Sequence, residues 1–237
     1  MTTTTSNAFI SPYKIQRSGK LALPVGTWAL IYDKNTAKFL SKISGDIRFK
    51  ISSDGGESAK SFRHFEKVLL QLSKQESKKG PVEGICVLGG GAVGDLGAFV
   101  ASLYRRGLRL VLVPTTYLSV IDSAFGGKTA INFAEAKNQI GSFYPAEKVL
   151  IHSSFLPADA HLVRDAFAEI LKMAILEGAL WKKLKKVKKT SSKTFWKLAQ
   201  PTIQAKLKIV KKDPKEKLGI RNLLNLGHTL GHVFEKL

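Results

Sequence analysis

Cysteine is almost absent: Cys86 is the only one in 237 residues. One cysteine excludes an intrachain disulfide framework and fits a reducing, cytoplasmic compartment. It lies inside the apolar run ICVLG, so it reads as a buried structural thiol rather than a nucleophile. Long apolar runs are missing too. Nowhere do about 18 apolar residues follow one another, so no membrane-crossing helix is expected. The opening MTTTTSNAF lacks the basic-then-apolar layout of a secretory signal and reads as a short disordered tail. Acidic residues are scarce: 18 Asp and Glu face 38 Lys and Arg, a net charge of +20. Such a field attracts anions, whether phosphorylated metabolites, nucleic acid or acidic membrane. Much of the excess lies between Trp181 and Lys217, in WKKLKKVKK and IVKKDPKEK. Aromatic residues are not interleaved with these lysines, so a stacking platform for single-stranded nucleic acid is lacking. The lysine run reads as a solvated helix face, and no nucleic-acid partner is expected from it.

What is present alternates. TWALIYD (27–33) and DIRFKIS (46–52) read as strands. Phe62, Phe65, Val68, Leu69 and Leu72 have helical spacing over 61–74. GICVLGG (84–90) is a short buried strand running into glycines, 95–106 a helix, and LRLVLVP (108–114) another buried strand. Strands alternating with helices predict a parallel α/β sheet with a nucleotide-sized crevice at its carboxyl ends. After KVLIHSSFLP (148–157) the pattern turns helical, over 160–180, 195–212 and 222–236, with TSSKT (190–194) as a turn. The expected organisation is an α/β Rossmann-like domain over 1–155 and an all-helical domain over 156–237.

Three clusters carry candidate chemistry. GGGAVGD (89–95) joins a strand to a helix, where glycines let backbone amides approach a phosphate and the helix dipole favours an anion. Its spacing is not the dinucleotide fingerprint G-x-G-x-x-G. The second cluster, residues 114–145, packs Thr115, Thr116, Asp122, Lys128, Lys137 and Asn138 between glycines. Hydroxyls and an amide suit sugar hydroxyls or a pyrophosphate, and lysines suit phosphate. The GGKT element ends like a P-loop, but Ser123 stands where that loop needs glycine, which argues against a nucleotide triphosphatase. In the third cluster, Glu169 and Lys172 stand at i, i+3 and His228 and His232 at i, i+4. A carboxylate with one or two histidines suits a catalytic zinc; two histidines on a helix flank are equally compatible with a purely structural place.

Taken in order, GGG-x-x-GD, PTT, DS-x-x-GGKT, KN-x-IG, AEILK and NLGHT-x-GH resemble the 3-dehydroquinate synthase family of sugar-phosphate cyclases, across most of the chain. The resemblance implies NAD held by Asp33, Asn35, Glu57, Lys60, Gly90, Gly91, Asp95, Thr115, Thr116, Asp122 and Lys137. It implies a divalent metal, zinc or alternatively cobalt, on Glu169 and His228. It implies substrate contacts from Arg106, Lys128, Asn138, Lys172, Lys206, Arg221, Asn225 and His232, with Lys206 and Arg221 suited to a carboxylate. In the family the residue matching Arg106 enters from a neighbouring subunit, which implies a homodimer. The implied reaction converts 3-deoxy-arabino-heptulosonate 7-phosphate to 3-dehydroquinate and phosphate, in the shikimate route to aromatic amino acids.

The family's third metal ligand, a histidine in an HGE motif, lies beyond the last residue here, so a chain shortened at its C-terminus is expected. NFAEAKN also places Phe133 and Ala136 where the family has histidine and glycine. The competing readings are a cyclase for another sugar phosphate, and an inactive homologue or basic nucleic-acid-binding module.

Overall fold

The computed structural model describes residues 9–134 and 136–227. The disordered tail expected for the first residues falls outside them apart from Phe9, as do His228, His232 and the rest of the helix expected to run to 236. The described chain divides into two compact units, Ser11–Ala158 and, as the second, Phe9 and Ile10 with the residues from Asp159 onward.

The first unit is built on one sheet. Its strands are β1 (Tyr13–Gln16), β2 (Leu21–Asp33), β3 (Ile43–Ser53), β4 (Gly84–Gly89), β5 (Arg109–Pro114) and β8 (Lys148–His152). They run in the order β1-β8-β5-β4-β2-β3, and every pairing is parallel. Helix α1 (Phe62–Lys79) connects β3 to β4, and α2 (Gly91–Leu103) connects β4 to β5. All six residues of β4 are buried, as expected of a central parallel strand covered on both faces. Leu30, Leu88, Val111, Val113, Leu150 and Trp28 pack together on one of these faces. The two central strands hold a continuous register, Gly84 opposite Arg109 through Gly89 opposite Pro114.

The carboxyl ends of β2, β4 and β5 are therefore level, and their last residues are Asp33, Gly89 and Pro114. Helix α2 packs closely over β4 because Gly97 has no side chain: a Cβ there would lie 2.5 Å from Val87 Cγ2. The expected helix over 95–106 begins earlier, at Gly91, since the glycines themselves form its first turn. It ends at Leu103, after which Arg105 and Arg106 adopt positive φ of 50° and 66°.

Four strands escaped the sequence reading, β8 among them. Strand β1 is short and lies at the sheet edge. The stretch from GGKT onward also contains an antiparallel hairpin, β6 (Lys128–Phe133) and β7 (Ala136–Phe143), forming a separate two-stranded sheet. Its polar sequence lacks the apolar alternation that marks a strand.

In the second unit the described elements are helical: α3 (Ala160–Leu176), α4 (Gly178–Leu184), α5 (Ser192–Lys212) and a 3-10 turn at Ile220–Asn225. Asp159 caps α3 by accepting from the His161 and Leu162 amides. Ser191 and Thr194 form a reciprocal capping box that starts α5. This box is the physical content of the TSSKT turn. The helical pattern read over 160–180 is two helices, broken at Glu177, where the backbone turns extended. The segment read as helix from 222 begins instead as the 3-10 turn.

Candidate functional site

A cleft of about 630 Å³ opens at the carboxyl ends of the central strands. Asp33 and Asn35 come from the end of β2, Gly90 and Gly91 from the end of β4, and Thr115 and Thr116 from the end of β5; all six line it. The parallel register brings together residues that are far apart in sequence, at the place where open α/β sheets bind ligands.

Each wall is held by local bonding. Asp33 is 6% exposed, and its Oδ1 accepts from the Asn35 amide at 2.8 Å and the Thr36 amide at 3.0 Å. Thr36 Oγ1 donates to the Leu88 carbonyl at 3.1 Å, tying this turn to β4. Helix α2 begins at the cleft, with Gly90 as its N-cap and no side chain capping its first amides. Those donors and the helix dipole favour an anion there. A Cβ on Gly90 would lie 2.8 Å from Thr116 Cγ2, so the two loops approach closely here and a methyl fits only if the Thr116 side chain gives way. Phe39 and Phe155 stack at 4.5 Å, and both line the cleft. Thr36, Phe39 and the stretch Ser154–Ala158 also belong to the wall, and the sequence reading missed them. Thr36 carried a signal, an Asx-type turn three residues after Asp33; the 154–158 stretch carried none.

Beside the cleft lies a charged network. Lys60, 4% exposed, donates to Asp95 Oδ2 at 2.7 Å and to Asn138 Oδ1, and stands 3.7 Å from Glu57 Oε1. Asn132, another residue not singled out from sequence, donates to Glu57 Oε1 at 2.9 Å and accepts from the Asn138 amide at 2.9 Å. Asn138 adopts a left-handed φ of 58° that aims this amide. Burial pushes the Asp95 carboxyl above the usual range, against the opposing pull of the Lys60 ammonium; Glu57 and Asp122 add to the upward push. Lys128, at the start of β6, shares a small void with Gly90 and Asp95. Lys137 and Arg106 are exposed and line neither space.

The helical unit holds the remaining candidates. Glu169 and Lys172 pair at 2.7 Å with side chains 10% and 9% exposed, and Lys172 also donates to the Leu224 carbonyl at 2.7 Å. Lys206 and Arg221 are buried, at 6% and 2% exposure. Arg221 Nη1 donates to the Pro214 carbonyl at 2.6 Å. Burial pushes the Asp213 carboxyl up, but amide donors from Arg221, Leu218, Lys217 and Ile220 outweigh it and hold it below its ordinary value. Asn225 is exposed and reaches Glu216 at 3.3 Å. Among the described residues no three His, Cys, Asp or Glu side chains gather to hold a metal. His228 and His232 lie outside them, so Glu169 is the one candidate ligand whose place is described. No described helix is long and apolar enough to cross a membrane.

Comparison with known proteins bears on what this assembly is. Residues 50–163 match the family description "3-dehydroquinate synthase N-terminal" and residues 166–237 match "3-dehydroquinate synthase C-terminal". The chain belongs to the 3-dehydroquinate synthase family.

The chain is 38% identical over 190 residues to a 3-dehydroquinate synthase of Picrophilus torridus, covering 80% of this chain and 55% of that protein. It is 36% identical over 222 residues to that of Lactiplantibacillus plantarum, covering 88% and 60%. It thus spans a little over half the length of these curated relatives. Among solved structures, a 2-deoxy-scyllo-inosose synthase complexed with carbaglucose-6-phosphate, NAD+ and Co2+ superposes with a TM-score of 0.72 at 22% identity, over 89% of this chain and 61% of that one. A 2-epi-5-epi-valiolone synthase of Streptomyces hygroscopicus with NAD+ and Zn2+ superposes at 0.70 and 23% identity, over 92% and 66%. These two likenesses show that this 3-dehydroquinate synthase family chain shares the fold of those two synthases.

Proposed function

We propose that this chain supplies the NAD site and much of the substrate site of a 3-dehydroquinate synthase, which converts 3-deoxy-arabino-heptulosonate 7-phosphate to 3-dehydroquinate and phosphate. The observation that carries the reading is the cleft at the sheet's carboxyl ends, where Asp33, Asn35, Gly90, Gly91, Thr115 and Thr116 meet. Two structural relatives of the same fold were solved with NAD+.

The residues present fit a dinucleotide. The uncapped amides of α2 offer donors to a pyrophosphate, and the missing Cβ of Gly90 leaves room for it to approach. Asp33 is oriented by its own turn, so its outer oxygen is presented without further ordering cost. Bound NAD would accept a hydride from a ring carbinol and return it later, giving no net oxidation. Lys60 would hold Asp95 and Asn138 in fixed positions beside the ring being oxidised. Lys128 would neutralise the phosphate that leaves. In the helical unit the buried cations Lys206 and Arg221 suit a carboxylate, the group that separates the heptulosonate from neutral-ring sugar phosphates. Glu169, held by Lys172, would be one metal ligand, with His228 as a second.

By this division of labour, residues 1–155 form the NAD-binding domain and 156–237 the metal and substrate domain. The test is calorimetric titration of the chain with NAD, followed by turnover with the heptulosonate phosphate beside glucose 6-phosphate and sedoheptulose 7-phosphate. NAD binding abolished by Gly90→Val, with turnover only on the carboxylated sugar, is the expected result. Preference for a sugar without the carboxylate would assign another cyclase activity, and absence of NAD binding would overturn the site.

A further inference from the structure

Apart from Lys206, the lysine-rich segment plays no part in the proposed chemistry. Residues 178–212 contain 12 lysines and no Asp, Glu, Arg or His. Lys206 alone among these lysines is buried; Lys182, Lys183, Lys185, Lys186, Lys188, Lys189, Lys193, Lys197, Lys208, Lys211 and Lys212 are exposed. With no acid in the segment, only residues elsewhere can pair with it, as Glu177 does with Lys208 at 3.4 Å. Elsewhere cations are matched more fully: Arg109 meets both Glu147 and Glu83, and Lys67 and His64 share Asp54.

The fold arranges these charges. Along α5, Lys193, Lys197, Gln200, Gln204, Lys208 and Lys211 are all exposed, and their spacing of four, three, four, four and three residues traces one helical face. At a rise of about 1.5 Å per residue this stripe is about 27 Å long. The opposite face of α5 is committed to the core through Phe195, Leu198, Ala199, Thr202 and Ala205. The stripe is therefore held rigid by the fold and cannot roll its apolar side into a bilayer. The end of α4 and the link to α5 add six lysines at one end of the stripe.

We propose that this face of α4 and α5 binds the phosphodiester backbone of duplex nucleic acid, without regard to sequence. Duplex DNA carries a charge about every 1.7 Å, a density that matches an extended rigid array of ammonium groups. Lysine is a point charge without arginine's bidentate fork, so it positions on phosphates and does not read bases. The stripe itself carries no aromatic side chain on which bases of a single strand could stack; Trp181, beside Lys185, and the half-buried Trp196, next to Lys197, stand at its margin. Bound phosphates would also relieve the mutual repulsion of the lysines.

Fluorescence anisotropy of the full chain with a labelled arbitrary duplex of about 20 base pairs, across a salt series, tests this. Lys193, Lys197, Lys208 and Lys211 are changed together to Gln. A control changes Lys14, Lys20, Lys50 and Lys74, exposed lysines of the other unit, in the same way. Both variants lose the same charge, and their thermal midpoints report folding. The stripe variant is expected to bind at least about tenfold more weakly at low salt and to lose about 3 to 4 from the slope of log K against log salt, as four lost phosphate contacts require. The control is expected to change the slope by less than about 1. Equal losses in both variants would reduce the binding to net charge and overturn the proposal. So would absence of parent binding, tighter binding to a single strand of the same length, or stronger binding to phosphatidylserine-containing vesicles than to the duplex.

Discussion

Lys60 and Asp95, separated by 35 positions in the chain, meet at 2.7 Å with the lysine almost wholly enclosed. Lys60 follows a 3-10 turn between β3 and α1, and Asp95 lies in the first turns of α2, so the pair forms only when those connections pack over the sheet. Removing the ammonium leaves a carboxylate whose side chain is 23% exposed without its cation. Lys60→Met is expected to cost about 2 kcal/mol, in the range of hydrogen bonds to charged groups. Asp95→Asn combined with Lys60→Met is expected to recover part of it. Urea midpoints of the two variants and the parent check this, and NAD titration should show weaker binding in both.

Cys86 is fully enclosed in β4, and burial pushes its thiol from 9.0 up to about 12. In the unfolded chain the thiol ionises near pH 9, while in the fold it stays protonated, so the unfolded state releases a proton that the native state keeps. Stability is therefore unaffected by this group below pH 9 and falls as the pH rises from about 9 towards 12, by up to about 1.4 kcal/mol per unit. Cys86→Ala should remove that alkaline slope in denaturant titrations. A thiol reagent at neutral pH should label the native protein only at the rate of unfolding.

Asp213 works in the opposite sense. Its native carboxyl lies below the ordinary 3.8 because four backbone amides point at it. Its stabilisation is complete above the ordinary carboxylate range and disappears as the pH falls through the lowered native value. Asp213→Asn should lower the thermal midpoint at neutral pH and flatten the loss of stability below pH 3.8. It should also loosen Arg221, whose amide the Asp213 carboxylate accepts at 3.1 Å.

Gly97 and Gly90 should separate packing from binding. Gly97→Ala places a methyl 2.5 Å from Val87 Cγ2, and overpacking of this kind costs about 1–3 kcal/mol, exceeding the gain of about 1 kcal/mol in helix propensity. Gly90→Ala meets the tip of Thr116, which can yield. It should leave the thermal midpoint nearly unchanged while weakening NAD by about tenfold or more, equivalent to about 1.4 kcal/mol. Thermal unfolding and calorimetry on the two variants distinguish these outcomes.

The alternation of buried strands and helices is legible because both faces of a parallel strand are covered, which makes GICVLG and LVLV (110–113) uniformly apolar. The β6–β7 hairpin is not legible: KTAINF and AKNQIGSF are polar enough to read as loop, and their strand character comes from pairing with each other. Asn132 was missed for the same reason. An asparagine has no sequence signature for a role that consists of bridging Glu57 and the Asn138 amide.

By itself the sequence determined the α/β class, the glycine turn after a buried strand, the helical second half and the ordered motifs that place the chain in its family. These are properties of local pattern and spacing, and each is written within about 15 consecutive residues, the range over which periodicity speaks. Only the tertiary structure decided that Asp33, Gly90 and Thr115 line one cleft, that Lys60 serves Asp95 and Asn138 together, and that lysines 18 residues apart along α5 share a face whose reverse is sealed in the core. Those relations depend on which strands are neighbours and on how helices cover them. Burial free energy summed over the whole sheet selects that arrangement, and no short stretch of residues contains it.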